Sequence, residues 1–546
     1  MDAPSPRPLE TLTIPTLLDR AAAAFANRPA IAFQGRHWTY RDLAALVNRT
    51  TAGLQRLGLR PGERIGLCLP NTPYSVIFYY AALKAGLVVV NYNPLYVARE
   101  LRHQIADSAT TTMVVPDIAA IFDKVAALLP DSPLARIIVC PFAEALPAAK
   151  RLAFGVIKRQ LLAHPRYDHQ VIPYRQVIAE GPPPTPVPID PSDLAVLQYT
   201  GGTTGVPKGA MLTHANLTIN AQQTTHHMPS MRAGEERVVG VLPLFHVYAM
   251  TSVLNASVLM GSEMILHPRF EIGAMMKSLV RDKPTILYAV PTIYNAIATE
   301  AEAKRYDLSS LRLCVSGGAP LPAEIRERFM KLTGCRIIEG YGLTEAAPTV
   351  TSNPPDGEVR PDSVGTALQG TTIEIRALDD ITHKLPANER GEICVRGPQV
   401  MKGYLNREAE TRTVFIDGAL RTGDVGYLDN DGYLYVTDRI KDLIICSGYN
   451  VYPRVIEDAL YEHPAVAEAI VIAIPDSYRG QAPLAFVTLR AGEFRTGDEL
   501  RDFLRDRISP IELPVRVEIR TTLPKTMVGK LSRKELIAEL SAPGTT

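Results

Sequence analysis

From Leu43 to Leu57 apolar side chains recur every three or four residues, which predicts a helix with one buried face. Arg64 to Leu69 follows as a strand, Ser75 to Ala85 as a second helix, and Leu87 to Val90 as a buried strand. The alternation returns from Ala195 to Tyr341, and strands that alternate with helices predict α/β architecture around a largely parallel sheet. Beyond about Ser363 the period shortens. Thr372 to Arg376 and Glu392 to Arg396 read as strands, and Tyr427 and Tyr433 flank an Asp429-Asn430-Asp431-Gly432 turn, so a small β subdomain is expected. Past Arg439 a separate α+β unit is predicted, with a helix near Tyr452 to Glu462, a strand near Ala467 to Ile474 and a helix from Asp498 to Arg507. The expected organisation is a large N-terminal domain, 1–438, and a smaller mobile C-terminal domain, 439–546.

Three stretches depart from this rhythm. Val238 to Ser262 carries no Asp, Glu, Lys or Arg and is long enough for a membrane span. Pro243, His246, Asn255 and Gly261 interrupt it without a basic flank, so it reads as buried structure of a soluble fold. Between Lys150 and Arg166, basic residues including Arg151, Lys158 and Arg159 are interleaved with Leu, Phe, Val and Ile. Contact with an anionic membrane surface fits that pattern; a solvated helix packing one face on the domain is the simpler reading. The Pro-rich run Gly181 to Pro191 is an extended connector.

Charge adds little direction. Lys and Arg number 58 against 57 Asp and Glu, so no nucleic-acid partner is indicated. The six cysteines are scattered, with no Cys-x-x-Cys pair and no His at metal-ligand spacing, which fits a reduced, cytoplasmic chain. The Pro-rich start lacks the features of a secretory signal.

The strongest local signal is Tyr199-Thr200-Gly201-Gly202-Thr203-Thr204-Gly205-Val206-Pro207-Lys208-Gly209, directly after the apolar run Asp193 to Gln198. Glycines let the backbone approach phosphate oxygens, threonine hydroxyls donate hydrogen bonds, and Lys208 supplies compensating charge. A Walker A loop is excluded, because Pro207 precedes the lysine and Gly209 follows it.

This loop resembles the signature of the adenylate-forming superfamily of acyl-CoA synthetases, luciferases and peptide-synthetase adenylation domains, and further matches follow in the family's order. Glu339-Gly340-Tyr341-Gly342-Leu343-Thr344-Glu345 is similar to the adenine and metal segment, which implies Tyr341 against adenine, Thr344 on the α-phosphate and Glu345 toward Mg²⁺. Gly317-Gly318-Ala319-Pro320 resembles the stretch on the other face of the adenine. Arg421-Thr422-Gly423-Asp424 matches the ribose motif, where a carboxylate accepts both hydroxyls. The resemblance further implies Arg439 on the ribose, Lys441 as hinge, Ser447-Gly448-Tyr449 against the pantetheine arm of coenzyme A, and Lys530 as the catalytic lysine. Leu242-Pro243-Leu244-Phe245-His246 is similar to the segment beside the acid-binding tunnel, with His246 near the substrate carboxylate; a core histidine reads equally well. Two positions depart from the pattern: Arg454-Val455 follows Pro453 where relatives commonly have x-Glu, and Val528 stands where Ser is usual.

The resemblance implies a ligase that uses ATP, Mg²⁺ and coenzyme A to activate a medium- or long-chain fatty acid through an acyl-AMP. An aryl-acid CoA ligase, an acyl-AMP ligase loading a carrier protein, a luciferase-like oxygenase and a non-catalytic nucleotide or acyl sensor stay open at this point, as do a homodimer and peripheral contact with the inner face of a membrane.

Overall fold

The computed structural model describes residues 7–541 except 201–206, 305, 448, 477–478 and 527–528. The large domain is built on two mainly parallel sheets. In the nine-stranded sheet, Ile337–Gly342, Leu313–Ser316, Ile286–Ala289, Arg237–Gly240, Glu263–Leu266 and Pro29–Phe33 run parallel; antiparallel strands close both margins. In the seven-stranded sheet the order is Val171–Pro173, Arg136–Cys140, Thr112–Pro116, Arg64–Leu67, Val88–Asn91, Leu194–Thr200, with Lys208–Thr213 antiparallel at the edge. Strands such as Val88–Asn91 and Leu313–Ser316 are buried at every position. That is why they read as apolar runs without alternation, since helices cover both faces of a parallel sheet.

The predicted elements are present, with ends shifted by a few residues. The helix expected from Leu43 spans Tyr40–Arg56 and begins with a capping box in which Thr39 and Asp42 exchange hydrogen bonds. The next helix, Pro73–Lys84, is buried all round, so its sequence shows no polar face. The uncharged stretch at Val238 folds as a strand, a loop and a buried helical run, Val247–Met260, whose middle, Met250–Asn255, is wound as a π-helix. Among the described residues no helix is long and apolar enough to cross a membrane. The basic stretch forms the helix Ala148–Ile157, which sets Phe154 against Phe142 (5.3 Å between ring centres) and leaves Leu152 and Ile157 exposed at 74% and 70%.

The antiparallel subdomain places Ala419–Leu428 between Gly391–Arg396 and Leu434–Arg439. From Arg439 the chain passes through a single turn, Ile440–Asp442, into a further five-stranded sheet containing Ile444–Cys446, Tyr449–Val451, Val466–Asp476, Gly480–Leu489 and Val517–Ile519. Behind this turn Arg533 pairs with Asp442 (3.1 Å) and Glu457 (2.6 Å), tying the last helix to the turn. The small domain also touches the large one through an Arg490–Glu324 ion pair. All six cysteines are free and buried.

Candidate active site

Strands Leu194–Thr200 and Lys208–Thr213 form a hairpin that sets Thr200 opposite Lys208. The intervening residues Gly201, Gly202, Thr203, Thr204 and Gly205 lie outside the described residues. Lys208 pairs with Glu410 and stands 5.3 Å from the centre of the Tyr404 ring. The hairpin is stitched to the loop carrying that tyrosine: Met211 N donates to Gly403 O (2.9 Å) and Leu405 N to Gly209 O (2.9 Å). The Tyr404 hydroxyl donates to Glu345 Oε1 at 2.7 Å, so one aromatic side chain joins the phosphate-loop lysine to the expected metal carboxylate. The sequence reading missed Tyr404, because a lone tyrosine in a short loop has no spacing that marks it.

Glu345 follows Thr344 on a single 3₁₀ turn, Thr344–Ala346, both half-buried. Among the described residues no cluster of three or more His, Cys, Asp or Glu could hold a metal ion. One hard carboxylate still fits Mg²⁺, which takes one or two protein carboxylates and completes its shell with water and substrate phosphates.

The carboxylate expected on the ribose, Asp424, sits in an antiparallel ladder. Asp424 is directly opposite Arg439 in the ladder, and the two side chains pair at 3.1 Å. The Tyr341 hydroxyl donates to the other oxygen, Asp424 Oδ2, at 2.6 Å. Glu339 and Gly340, expected beside the nucleotide, hold structure together here. Glu339 is buried, accepts from Leu321 N (3.0 Å) and lies 3.6 Å from Arg326, so it fastens the Gly318-Ala319-Pro320 loop; burial pushes its carboxyl up to about 7. A Cβ on Gly340 would come within 3.0 Å of Thr351 O in the neighbouring strand.

Lys530 reaches this cluster from the small domain. Its loop is closed by Thr526 N donating to Lys530 O (2.6 Å) and Gly529 N to Thr526 O (2.8 Å). Gly529 has φ +82° and lies so near Thr292 that a Cβ would come within 2.6 Å of its hydroxyl, so glycine is required both for backbone conformation and for approach. The lysine tip lies on Gly318, where an added Cβ would be 2.9 Å from Lys530 Cε. Burial, reinforced by the Arg439 cation and opposed by Asp424, lowers the Lys530 amine to about 8. His246 shares the space: burial first, then the Lys530 cation, lowers its imidazole to about 4, so the ring is neutral. Its Nδ1 accepts from Tyr248 N (3.3 Å), leaving Nε2 to carry the proton. The structure thus brings together Gly318, Tyr341, Asp424, Arg439, Lys530 and His246.

Lys441 lies in the turn beyond Arg439, its amine lowered by burial and by that arginine. Ser447 has φ +50°, and Tyr449 stands 67% exposed on the outer hairpin of the small domain. Gly448 lies outside the described residues. At the two departures from the family pattern, Arg454 pairs within its helix with Asp458 (2.8 Å) and donates its backbone N–H to Asp438 (2.9 Å), while Val528 lies outside the described residues.

The AMP-binding enzyme family matches residues 18–405, and its C-terminal domain matches residues 455–530. The chain is 41% identical to the long-chain-fatty-acid–CoA ligase of Bacillus subtilis, covering 98% of this chain and 96% of that protein. Identity to the enzyme of the same name from Salmonella typhimurium is 38% (95% and 93%), and to a feruloyl-CoA synthase of Amycolatopsis 36% (95% and 97%). Among solved structures, ATP-bound MatB from Rhodopseudomonas palustris is similar with a TM-score of 0.83 at 27% identity, covering 97% of this chain and 99% of that one. The apo form of the same enzyme, at the same identity and coverage, scores 0.74. At equal identity and coverage, this chain is thus more similar to the ATP-bound than to the apo structure.

The charge balance around Lys530 is testable without substrate. With lysines reductively methylated using ¹³C, one signal should titrate near 8 and vanish in Lys530→Arg. Asp424→Asn should move it lower and Arg439→Gln higher. A full set of lysines titrating in the ordinary range would contradict the assignment.

Proposed function

Since this chain belongs to the AMP-binding enzyme family, we propose that it ligates a long- or medium-chain fatty acid to coenzyme A through an acyl-AMP, releasing AMP and pyrophosphate. The reading rests above all on Lys530, brought from the small domain onto Gly318 beside Asp424 and Arg439. Identity to fatty-acid ligases exceeds that to the feruloyl enzyme, which favours an aliphatic acid.

A carboxylate resists thiolate attack because it is anionic and resonance-stabilised, so it is first given a better leaving group. One carboxylate oxygen attacks the α-phosphorus of ATP, the bond to the bridging oxygen breaks, and pyrophosphate departs with that electron pair. Positioning and neutralisation of charge dominate such a transfer. Asp424 accepts from the ribose hydroxyls and Arg439 is oriented against the same sugar. Tyr341 and the Gly318 to Pro320 loop face the adenine. Lys530 and the Thr200 to Lys208 loop meet phosphate charge, and Thr344 donates to the α-phosphate. Neutral His246 offers its Nε2–H to the acid carboxylate without trapping it in an ion pair. Glu345, steadied by Tyr404, is the ligand for Mg²⁺, which supplies charge neutralisation on phosphate oxygens.

The second step needs a different surface. Rotation of residues 439–546 about Lys441 withdraws Lys530 and presents the Ser447-Gly448-Tyr449 hairpin, whose exposed tyrosine is free to meet the pantetheine arm. The CoA sulfur then attacks the acyl carbon, the acyl–oxygen bond breaks, and AMP leaves. Closure during the first step keeps water from the adenylate. We place the protein in the cytoplasm, touching the inner face of a membrane through the helix Ala148–Ile157, where exposed Leu152 and Ile157 neighbour Arg151, Lys158 and Arg159.

Lys530→Ala should lower acyl-AMP formation by about 10²-fold or more, as loss of one preorganised charge-stabilising group does, and leave thioester formation from presynthesised acyl-AMP largely intact. Lys441→Pro should show the reverse pattern, with pyrophosphate released and acyl-CoA blocked. Mass analysis of thioesters formed from a graded panel of fatty and aromatic acids checks the substrate class; a product only with aromatic acids would overturn it.

Binding to vesicles containing anionic lipid should weaken severalfold in Leu152→Ser/Ile157→Ser and fall with rising salt, measured by co-sedimentation. Equal binding of the double variant would remove this helix from membrane contact.

A further inference from the structure

The segment carrying His246 leaves the nine-stranded sheet after Gly240 and crosses to the seven-stranded sheet, where two buried side-chain amides hold it. Asn71 donates to Gly240 O (2.9 Å) and Leu242 O (2.7 Å) and accepts from Leu244 N (2.8 Å). Gln198, 5% exposed, donates from Nε2 to Phe245 O at 2.9 Å. Its own oxygen accepts from Asn91 Nδ2 at 2.9 Å, and that amide also lies 3.3 Å from Met250 Sδ in the π-helix beyond His246. Asn91 is fixed in turn, because Gln104 Nε2 donates to its carbonyl (2.8 Å). Both atoms of the Gln198 amide are therefore used, and the amide cannot flip without losing two buried hydrogen bonds.

Gln198 lies two residues before Thr200, on the strand that runs into the Thr200 to Lys208 loop. The same rigid strand thus ends in the phosphate loop and, by one side chain, sets the carbonyl immediately preceding His246. We propose that Gln198 is a positioning residue for adenylation: its amide fixes the acid-binding His246 segment relative to the phosphate loop and so sets the approach of the carboxylate to the α-phosphorus. The proposal rests on the reading of His246 as neighbour of the acid carboxylate. Gln198 would act through the Phe245 carbonyl beside His246. In the sequence the Leu197-Gln198-Tyr199 lead-in to the phosphate loop points toward a fatty acid substrate, but a glutamine inside an apolar strand does not say to what it is bonded.

Misplacement of reacting groups by about 1 Å can cost 10²-fold in rate. Gln198→Met keeps the length and removes both hydrogen bonds. Gln198→Glu keeps an acceptor for Asn91 but turns an acceptor toward Phe245 O. In ATP–pyrophosphate exchange with a fatty acid, both variants should lower kcat/KM for the acid by about 100-fold. KM for ATP should change by less than about threefold, the split expected when only the acid's approach is disturbed. Conversion of presynthesised acyl-AMP to acyl-CoA should stay within about threefold of the parent, because attack on phosphorus is then bypassed. Asn91→Leu, which leaves the Phe245 bond, should be milder. Parallel loss in both half-reactions, a matching rise in KM for ATP, or unchanged kinetics would overturn the proposal. Should Gln198→Met fail to fold, Gln198→Glu decides by the same measurements. Should the parent protein itself form no acyl-AMP with any fatty acid, the functional reading fails; faster amide exchange across Leu244 to Tyr248 in Gln198→Glu would then still support the clamp, and unchanged exchange would reject it.

Discussion

The Asp424 carboxylate is drawn out of water by the strand pair that carries it, and a buried full charge must be met by donors. Two side chains meet it from different parts of the chain: the Tyr341 hydroxyl from the nine-stranded sheet and the Arg439 guanidinium from the last residue of the β subdomain. The nine-stranded sheet, the antiparallel subdomain and the entry to the small domain are therefore referred to one anion. Because Arg439 is also the last ladder residue before the turn Ile440–Asp442, its pairing fixes where the antiparallel subdomain ends and the chain leaves for the small domain.

Contacts holding the small domain in its present place are of another kind. The Arg490–Glu324 pair lies on the surface, where such pairs contribute about 0 to 1 kcal/mol. Lys530 is held where burial, with the Arg439 cation adding to it and Asp424 opposing it, depresses its amine. A phosphate chain would reverse that balance, and pyrophosphate departure would restore it.

Much of this architecture was legible in the residues. Buried parallel strands announce themselves as apolar runs, and the phosphate-loop threonines and glycines announce a chemistry that Asp424 and Lys530 then narrow. Legibility failed where function depends on an atom rather than a residue type. Tyr404 is tied to Glu345 by one hydrogen bond and Gln198 to Phe245 and Asn91 by two, all to groups far away in sequence, and no local period records such bonds. Glu339 shows a further use of a motif residue. It lies within the motif yet braces the loop of the neighbouring strand, because a motif preserves the scaffold of a site along with its contacts. Helix ends were displaced by caps such as Thr39, whose side-chain bonding decides the first turn.

An acyl-adenylate is a strong acylating agent, and the reaction is useful only if the nucleophile it meets is the cofactor thiol. Each of the six protein thiols is buried in a core, and burial raises those of Cys68 and Cys394 to about 12, leaving almost no thiolate at neutral pH. The neighbouring pair, Cys314 and Cys335, with sulfurs 3.4 Å apart, is buried as well: burial raises the Cys314 thiol, while the hydrogen bond between the two sulfurs lowers that of Cys335. An acyl-adenylate formed here would therefore meet no exposed thiol of the chain itself, because every cysteine side chain is turned into a core.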